Sequence, residues 1–342
     1  MDKLLTIAVP AYNSGLFLHK CLDSFCDERI LDRIEVIVVN DGSTDDTSAV
    51  AHRYETQYPG TFRVIDKENG GHGSGINVSS SIASGKYYMA VDSDDWVITG
   101  NLPDLFSVLE YTDADIVLCN YHMVDMYSGK KQPFITADIP LYREYTVDDF
   151  MKYPVNSRNC CFYHGMIYRT DFYRGTGIRL SEKTFYEDQE YATIPVYYAS
   201  WIYPTDIFCY QYQVGNANQS ISNANQVKYL HQIETVLWNI CAFYNSHVSE
   251  MSQGKKDYFL FKMSTLLLSY YVAGLLKKSD RKKGREEAKR MYKLVADHCP
   301  DLAVTAERKY RIACMLHLLH ISADTLEKAK KTRLYYMIRK KM

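Results

Sequence analysis

Three carboxylates with one hydroxyl among them follow an apolar stretch of the chain. Asp92, Ser93, Asp94 and Asp95 come directly after residues 87–91, which read Tyr-Tyr-Met-Ala-Val. Carboxylates two residues apart at the end of a strand can converge on one hard divalent cation, which leaves coordination positions for substrate phosphates. Mg²⁺ or Mn²⁺ held there would neutralise the charge on a departing diphosphate. A solvated turn or a helix cap uses the same residue types, so this motif alone does not decide the matter.

Two further candidate residues follow earlier apolar stretches, residues 4–9 and 34–39. Tyr12 offers a flat ring that can stack on a nucleobase, and the Asp41 carboxylate can accept a hydrogen bond from the imide N–H of uracil or from a ribose hydroxyl. A structural alternative stays open. Tyr12 would then pack on the sheet, and Asp41 would cap a helix that begins near Thr44.

A glycine-rich segment, residues 69–77, contains Asn69, Gly71 and His72. Glycine lets a backbone approach a phosphate or a sugar closely, because no side chain intervenes. His72 is a candidate phosphate contact, although an isolated histidine in a glycine-rich loop is more often structural.

The hydrophobic pattern indicates which elements position these residues. Strand-like runs alternate with helix-like stretches, which is typical of a layered α/β sheet with crossover helices. The runs cover residues 4–9, 34–39, 62–65, 87–91 and 116–119. Open sheets of this kind bind ligands beyond the carboxyl ends of their strands, and Pro10, Asp41 and Asp92 each fall at such an end.

The second half of the chain has a different pattern. Residues 121–157 contain one glycine, Gly129, and three prolines, and are expected to be rich in loops. Beyond about residue 227 the pattern becomes helical, and its most apolar stretch is residues 259–276. This stretch includes Lys262, Ser264, Thr265 and Ser269, which favours a buried helix over a membrane span.

Composition excludes several classes of protein. The 342 residues carry a formal net charge of -1, which gives no reason to expect a nucleic-acid partner. Nine cysteines, an odd number without a Cys-x-x-Cys pair, argue against a zinc site or a disulfide framework and favour reduced cytosolic thiols. Met1 leads directly into a strand-like stretch, so we predict no signal peptide and a cytoplasmic location.

Five motifs in a fixed order resemble family 2 of the glycosyltransferases, the inverting enzymes of the GT-A fold. The motifs are Val9-Pro10-Ala11-Tyr12-Asn13, Asn40-Asp41-Gly42-Ser43-Thr44-Asp45, Asn69-Gly70-Gly71, Asp92-Ser93-Asp94-Asp95 and Glu187-Asp188. The resemblance covers about residues 1–222. It implies an α/β fold with a Rossmann-like mixed sheet flanked by helices and a catalytic domain over residues 1–225. The helical pattern that follows predicts an appended α-helical domain over residues 226–342.

The resemblance also implies roles for individual residues. The expected donor-binding residues are Pro10, Tyr12, Asp41, Asn69, Gly71, Asp92 and Ser93. Asp94 is expected to hold the cation, Mg²⁺ or Mn²⁺, that bridges both phosphates. The family usually ends the glycine-rich segment with Ala-Arg-Asn, whereas this chain has Gly75, Ile76 and Asn77, so the familiar arginine is missing and His72 is a candidate substitute.

In the family, the aspartate of the Glu-Asp pair takes the proton from the acceptor hydroxyl. This match makes Asp188 the expected general base and Glu187 the residue that orients it. The alternative is a solvated acidic start of a helix, which suits Glu190 better. Four aromatic residues are weak candidates for stacking on an acceptor sugar: Trp201, Tyr203, Tyr210 and Tyr212.

The sequence therefore predicts a bacterial surface-polysaccharide, capsule or cell-wall enzyme. It would move a hexosyl or N-acetylhexosaminyl group from a UDP-sugar to a hydroxyl of a glycan, a lipid-linked glycan or a cell-wall polymer, with inversion. Two alternatives remain open: a dTDP- or GDP-sugar donor, and a non-catalytic nucleotide-sugar or carbohydrate-binding module on the same fold.

Basic residues concentrate near the C-terminus, in residues 277–290 and in a tail, residues 328–341. The tail also carries apolar side chains that could anchor it to an anionic cytoplasmic membrane surface, which would make the protein peripheral. A solvated helix face is the alternative.

Overall fold

The computed structural model describes residues 2–135, 139–153, 162–216, 222–323 and 325. The chain divides into two compact units. The first comprises Met1–Asn216 and Val248–Tyr258, and the second comprises Ala217–His247 and Phe259–Met342. The basic tail, residues 328–341, lies outside the described residues.

The first unit is built on one mixed sheet of nine strands. The strands are β1 Leu5–Ala11, β2 Ile34–Asp41, β3 Phe62–Lys67, β4 Tyr87–Ala90, β5 Trp96–Val97, β6 Ile116–Asp125, β7 Lys131–Phe134, β8 Met166–Arg169 and β9 Ile202–Val214. They lie in the order β3-β2-β1-β4-β8-β6-β9-β5, and β7 pairs with β6.

Strand direction places the candidate residues at one edge of the sheet. Strands β1 to β4 are parallel, whereas β8 is antiparallel to both β4 and β6. Ala11 at the end of β1 pairs with Asn40 near the end of β2, and Ala8 pairs with Ala90 at the end of β4. The chain therefore leaves three neighbouring strands on the same side, just before the motifs.

Helices connect these strands. In the first unit they are α1 Gly15–Asp23, α2 Thr47–Gln57, α3 His72–Ile82, α4 Leu102–Tyr111, α5 Val147–Met151, α6 Thr170–Gly175, α7 Asp188–Tyr191 and α8 Pro195–Tyr198. All seven residues of β1 are buried, as expected for a central parallel strand covered on both faces. Leu18 and Leu22 of α1 join Val9 and Val38 in the core.

The second unit is helical where it is described. Its helices are α9 Asn223–Lys228, α10 Leu230–His247, the part of α11 Gln253–Val272 from Phe259 onward, α12 Arg281–His298 and α13 Pro300–Leu318. Among the described residues one helix, Gln253–Lys277, is long and apolar enough to cross a membrane, and 61% of its most apolar window is buried. Buried core helices pass the same test of length and composition.

The expected fold class is confirmed by a mixed sheet flanked by helices and by a helical C-terminal region. The five predicted strands are present, and β6 extends to Asp125, well beyond the predicted end. The segment expected to be rich in loops contains β7 and α5 within its described part.

Candidate active site

The Asp41 carboxylate holds the glycine-rich segment against the sheet. It is 2% exposed at the end of β2. Its Oδ1 accepts hydrogen bonds from Lys67 Nζ at 2.6 Å and from the Gly70 N–H at 2.9 Å, and its Oδ2 accepts one from the Gly71 N–H at 2.7 Å. The capping alternative for Asp41 is therefore wrong, and Asp46 is the residue that precedes α2.

The loops after β1 and β2 are tied to each other. The Asn13 N–H donates to Ser43 Oγ at 3.0 Å, and the Thr44 N–H donates to Asn13 Oδ1 at 2.8 Å. Tyr12, beside this junction, is 54% exposed, so the alternative in which it packs on the sheet is wrong. Its ring has a face open to a ligand.

The glycine-rich segment makes approaches that side chains would prevent. Gly71 has φ +86°, and a Cβ there would meet the Lys183 backbone N at 2.7 Å. A Cβ on Gly75 would meet Pro10 Cβ at 2.9 Å, so α3 packs directly on the proline near the end of β1. Asn69 is exposed, and its Nδ2 donates to a backbone carbonyl of β2 at 2.9 Å.

The acidic turn after β4 contains two kinds of carboxylate. Asp95 is buried, and its two oxygens accept hydrogen bonds from Tyr210 Oη and from a backbone N–H of β9, each at 2.7 Å. Burial and the neighbouring charges of Asp92 and Asp94 raise the pKa of Asp95 well above its ordinary value. Asp92, Ser93 and Asp94 are half-buried and lie nearer to solvent.

His72, the first residue of α3, joins this turn to the second acidic motif. Its Nε2 lies 3.0 Å from Asp92 Oδ1, and its Nδ1 lies 2.6 Å from Glu187 Oε1. Burial lowers the pKa of His72, but the hydrogen bonds to the two carboxylates outweigh that effect and hold it well above the ordinary value. Burial alone would raise the pKa of Asp92, and His72 brings it below the usual range.

The acidic pair lies at the start of α7. Glu187 is 3% exposed, whereas Asp188 is half-buried. Tyr186 before them has φ +72°, a left-handed conformation that is uncommon for a residue with a side chain. Glu190 is 2% exposed and accepts hydrogen bonds from the Ser181 N–H and Oγ, so the alternative of a solvated Glu190 is wrong.

One group of side chains fits a divalent cation. Asp92, Asp95 and His164 each offer a ligand atom, and these atoms lie within 4.8 Å of one another. Burial lowers the pKa of His164 to about 4, so its ring is neutral near pH 7 and keeps a lone pair. Its ring stacks on Tyr212 with a centroid separation of 3.9 Å, which fixes its orientation. Crowded carboxylates beside a neutral imidazole suit a positive ion.

The aromatic candidates for an acceptor surface do not lie together. Tyr203 is 5% exposed and Tyr210 is fully buried, so neither offers an open face. Trp201 precedes β9, whereas Tyr212 lies near its other end, roughly 36 Å away at a rise of about 3.3 Å per residue.

Two residues of the site were missed from the sequence, Lys67 and His164, and Tyr210 was expected to contact an acceptor sugar but instead donates to Asp95. Each acts through a partner far along the chain, and no local spacing connects them to the motifs. The strand-like run at residues 62–65 was a usable signal, because a lysine at the end of β3 lies at the same edge of the sheet as Asp41.

Comparisons with known proteins all find similarity to glycosyltransferases. Residues 6–174 match the family model described as glycosyl transferase family 2. Glycosyltransferase GlyG of Streptococcus pneumoniae serotype 4 (strain ATCC BAA-334 / TIGR4) is 32% identical over 152 residues, which are 44% of this chain and 50% of that protein. The uncharacterized glycosyltransferase EpsJ of Bacillus subtilis (strain 168) is 28% identical over 195 residues, 56% of this chain and 55% of that protein. The chain thus spans about half the length of these curated relatives.

Solved structures match over more of the chain. S. aureus TarS 1-349 in complex with UDP-GlcNAc covers 92% of both chains with a TM-score of 0.58 and 18% identity. The mannosyltransferase PcManGT from Pyrobaculum calidifontis, in complex with GDP-Man and Mn²⁺, covers 93% of this chain and 88% of its own with a TM-score of 0.51 and 14% identity. At these identities the matches establish a shared fold.

Proposed function

The chain belongs to glycosyl transferase family 2 through residues 6–174, and on that premise we propose that it is an inverting glycosyltransferase of bacterial polysaccharide or cell-wall synthesis. The observation that carries the proposal is the hydrogen-bonded connection from Asp92 through His72 to Glu187, beside Asp188. It joins Asp92, a carboxylate proposed to bind the donor sugar, to Glu187, the neighbour of the proposed base Asp188, at one edge of the sheet. A single displacement needs a group that holds the donor and a base that takes the acceptor proton.

The donor we propose is a UDP-sugar bound between the loops after β1, β2 and β4. Tyr12 would stack on the base, and the loop that Asp41 holds would lie beneath it, since the Asp41 oxygens already accept from two loop N–H groups. Asp92 and Ser93 would contact the ribose and sugar side. Support for UDP comes from the TarS complex with UDP-GlcNAc, and a GDP-sugar is the second candidate because PcManGT binds GDP-Man.

We propose Asp94 as the main residue for a divalent cation, with the group of Asp92, Asp95 and His164 beside it. The cation, when bound, would act as a Lewis acid that neutralises the leaving diphosphate. Burial and the charges of Asp92 and Asp94 raise the pKa of Asp95, and a positive charge at this turn would relieve the repulsion among the three carboxylates. His72 contributes a cationic ring on the side of Asp92 that faces the glycine-rich segment.

Asp188 would take the proton from the acceptor hydroxyl while its oxygen attacks the anomeric carbon and the nucleoside diphosphate leaves. One displacement without an enzyme nucleophile inverts the configuration, so an α-linked donor gives a β-glycoside. Glu187 cannot exchange this role with Asp188, because it is buried and already accepts from His72. The half-buried carboxylate of Asp188 is the one that an acceptor can reach.

The acceptor we propose is a hydroxyl of a glycan, a lipid-linked glycan or a cell-wall polymer, reached from the cytoplasm. We also keep as proposals the division into residues 1–225 and 226–342 and a peripheral membrane contact through the basic tail. Removal of residues 328–342 should reduce co-sedimentation with anionic liposomes and leave binding to neutral liposomes unchanged. Equal sedimentation of both proteins would remove the membrane contact.

The donor site is tested by ligand-induced thermal shift with UDP-, GDP- and dTDP-sugars, with and without Mn²⁺. We expect one UDP-sugar to raise the melting temperature in a metal-dependent way and Asp94→Asn to abolish that shift. Asp104→Asn, at an exposed acidic residue in the first turn of α4, is the matched control and should respond like the wild type. Absence of a response to every donor would favour a non-catalytic binding module.

A further inference from the structure

The His72 ring is held between two carboxylates by contacts on several sides. Nε2 faces Asp92 Oδ1 at 3.0 Å, Nδ1 faces Glu187 Oε1 at 2.6 Å, and Tyr163 Oη lies 3.4 Å from Nε2. The Tyr163 ring meets the imidazole edge-on, with a centroid separation of 5.8 Å. Each ring nitrogen lies within hydrogen-bond distance of a carboxylate oxygen, and a ring turned by 180° about its Cβ–Cγ bond would put carbon atoms in both places. The ring therefore has one orientation that satisfies both partners.

The backbone on both sides of His72 leaves the ring little freedom to move. Gly71 has φ +86° and touches the backbone of Lys183. Gly73 lies against the backbone of Ser181, where an added Cβ would meet its carbonyl oxygen at 2.3 Å. Close packing between α3 and the loop before α7 therefore fixes the start of α3 relative to Glu187, although 115 residues separate His72 from Glu187.

The two partners of His72 belong to different parts of the proposed reaction. Asp92 lies in the turn proposed to bind the donor, and Glu187 directly precedes the proposed base, Asp188. Ile76, one helical turn after His72, occupies the position where the family usually has an arginine, and it is fully buried. No arginine of α3 is therefore available to contact the two acidic motifs. His72 is the side chain of α3 that reaches both acidic motifs.

We propose that His72 is a positioning residue with two separable tasks: Nε2 fixes the Asp92 carboxylate for the donor, and Nδ1 fixes Glu187 and thereby Asp188 for proton transfer. This inference rests on the proposed function, since it assigns the donor to Asp92 and the base to Asp188. The two contacts use different atoms, so they can be removed one at a time. Donor affinity and turnover should then respond separately.

Two nearly isosteric substitutions separate the tasks. The amide nitrogen of glutamine occupies the place of Nε2, so His72→Gln keeps a donor toward Asp92 and loses the contact to Glu187. The amide nitrogen of asparagine occupies the place of Nδ1, so His72→Asn keeps the contact to Glu187 and loses that to Asp92. The assay is hydrolysis of the nucleotide sugar that stabilises the wild type, and the rate is measured from the nucleoside diphosphate released.

We expect His72→Gln to lower kcat about 10- to 100-fold with donor KM within about threefold of wild type, as for loss of a hydrogen bond to a charged group. His72→Asn should instead raise donor KM by about tenfold or more and change kcat less. Glu187→Ala breaks the Nδ1 contact from its other end. It should lower kcat as much as His72→Gln does. The contact can therefore be tested with either variant if the other fails to fold.

His52→Gln is the matched control, because His52 on α2 also lies between two carboxylates, Glu55 and Asp66, each at 2.8 Å. It should keep wild-type kcat and KM. Equal changes of both parameters in His72→Gln and His72→Asn, or wild-type values in both, would overturn the positioning role while the proposed function stands. A folded wild type that hydrolyses no nucleotide sugar and is stabilised by none would overturn both.

Discussion

Substituting Gly73 by alanine should damage the site through a single contact. Gly73 lies in the first turn of α3 with an ordinary helical φ, so alanine should favour the helix there by up to about 1 kcal/mol. A Cβ at this position meets the carbonyl oxygen of Ser181 at 2.3 Å, and real Cβ contacts stay beyond 3.0 Å. The Ser181 backbone must therefore retreat by about 0.7 Å, whatever the helix gains.

That movement reaches the candidate base. Ser181 donates two hydrogen bonds of 2.8 Å to Glu190 in α7, the helix that begins with Asp188. A displacement near 1 Å of groups that position a reaction costs on the order of 100-fold in rate. Overpacking of a close contact also costs about 1–3 kcal/mol of unfolding free energy. We therefore expect Gly73→Ala to lower kcat about 10- to 100-fold and to lower the urea midpoint.

The assay is release of nucleoside diphosphate from the preferred donor, with urea unfolding in parallel. Gly100→Ala is the control, because a Cβ on Gly100 meets nothing within 4 Å and its φ is ordinary. It should match the wild type in both measurements. Wild-type kcat in Gly73→Ala would refute the claim that contact between α3 and the loop before α7 sets the position of the base.

Four further predictions concern single side chains. Asp188→Asn should lower kcat about 10²- to 10⁴-fold with little change in donor KM, and kcat within threefold of wild type would contradict its role. His164→Phe keeps the aromatic stack but removes the ring nitrogen, so calorimetry with UDP present should show Mn²⁺ affinity falling about tenfold or more, whereas an unchanged affinity would exclude His164 as a ligand. Tyr210→Phe removes the hydroxyl that donates to the buried Asp95 carboxylate, so it should lower the free energy of unfolding in urea by about 1–3 kcal/mol. An unchanged free energy of unfolding would show that Asp95 does not depend on this hydrogen bond. The pKa of His52 is raised by its hydrogen bonds to Asp66 and Glu55, so the stabilisation it gives is full below its ordinary pKa and is lost as pH rises through the raised one. His52→Ala should therefore lower the melting temperature slightly at acidic pH, where the loss is less than about 1 kcal/mol of unfolding free energy, and leave it unchanged above the raised pKa.

The sheet was predictable where strands are buried on both faces. All seven residues of β1 are buried, and such strands appear in a sequence as continuous apolar runs. Strand β9, with 13 residues, was not predicted because it mixes polar residues such as Thr205 and Gln211 with aromatic ones. The burial of those polar residues follows from partners elsewhere in the fold, which a local pattern does not contain.

The candidate site was predictable motif by motif but not as a connected network. The acidic motif at a strand end pointed to Asp92, and the resemblance to the family pointed separately to Glu187. Their connection through His72 depends on how α3 packs against a loop more than 100 residues away, and only the folded chain shows it. The same applies to His164, which no spacing relates to Asp92 and Asp95 and which the fold brings within 4.8 Å of both.

The most direct test of the central claim is the anomeric configuration of the first product. Proton NMR during hydrolysis of the donor selected by thermal shift, an α-linked UDP-sugar in our proposal, resolves the α and β anomers of the released sugar before they equilibrate. A single displacement assisted by Asp188 predicts that the β-anomer appears first and that Asp188→Asn slows its appearance. The α-anomer appearing first would contradict an inverting mechanism at this site.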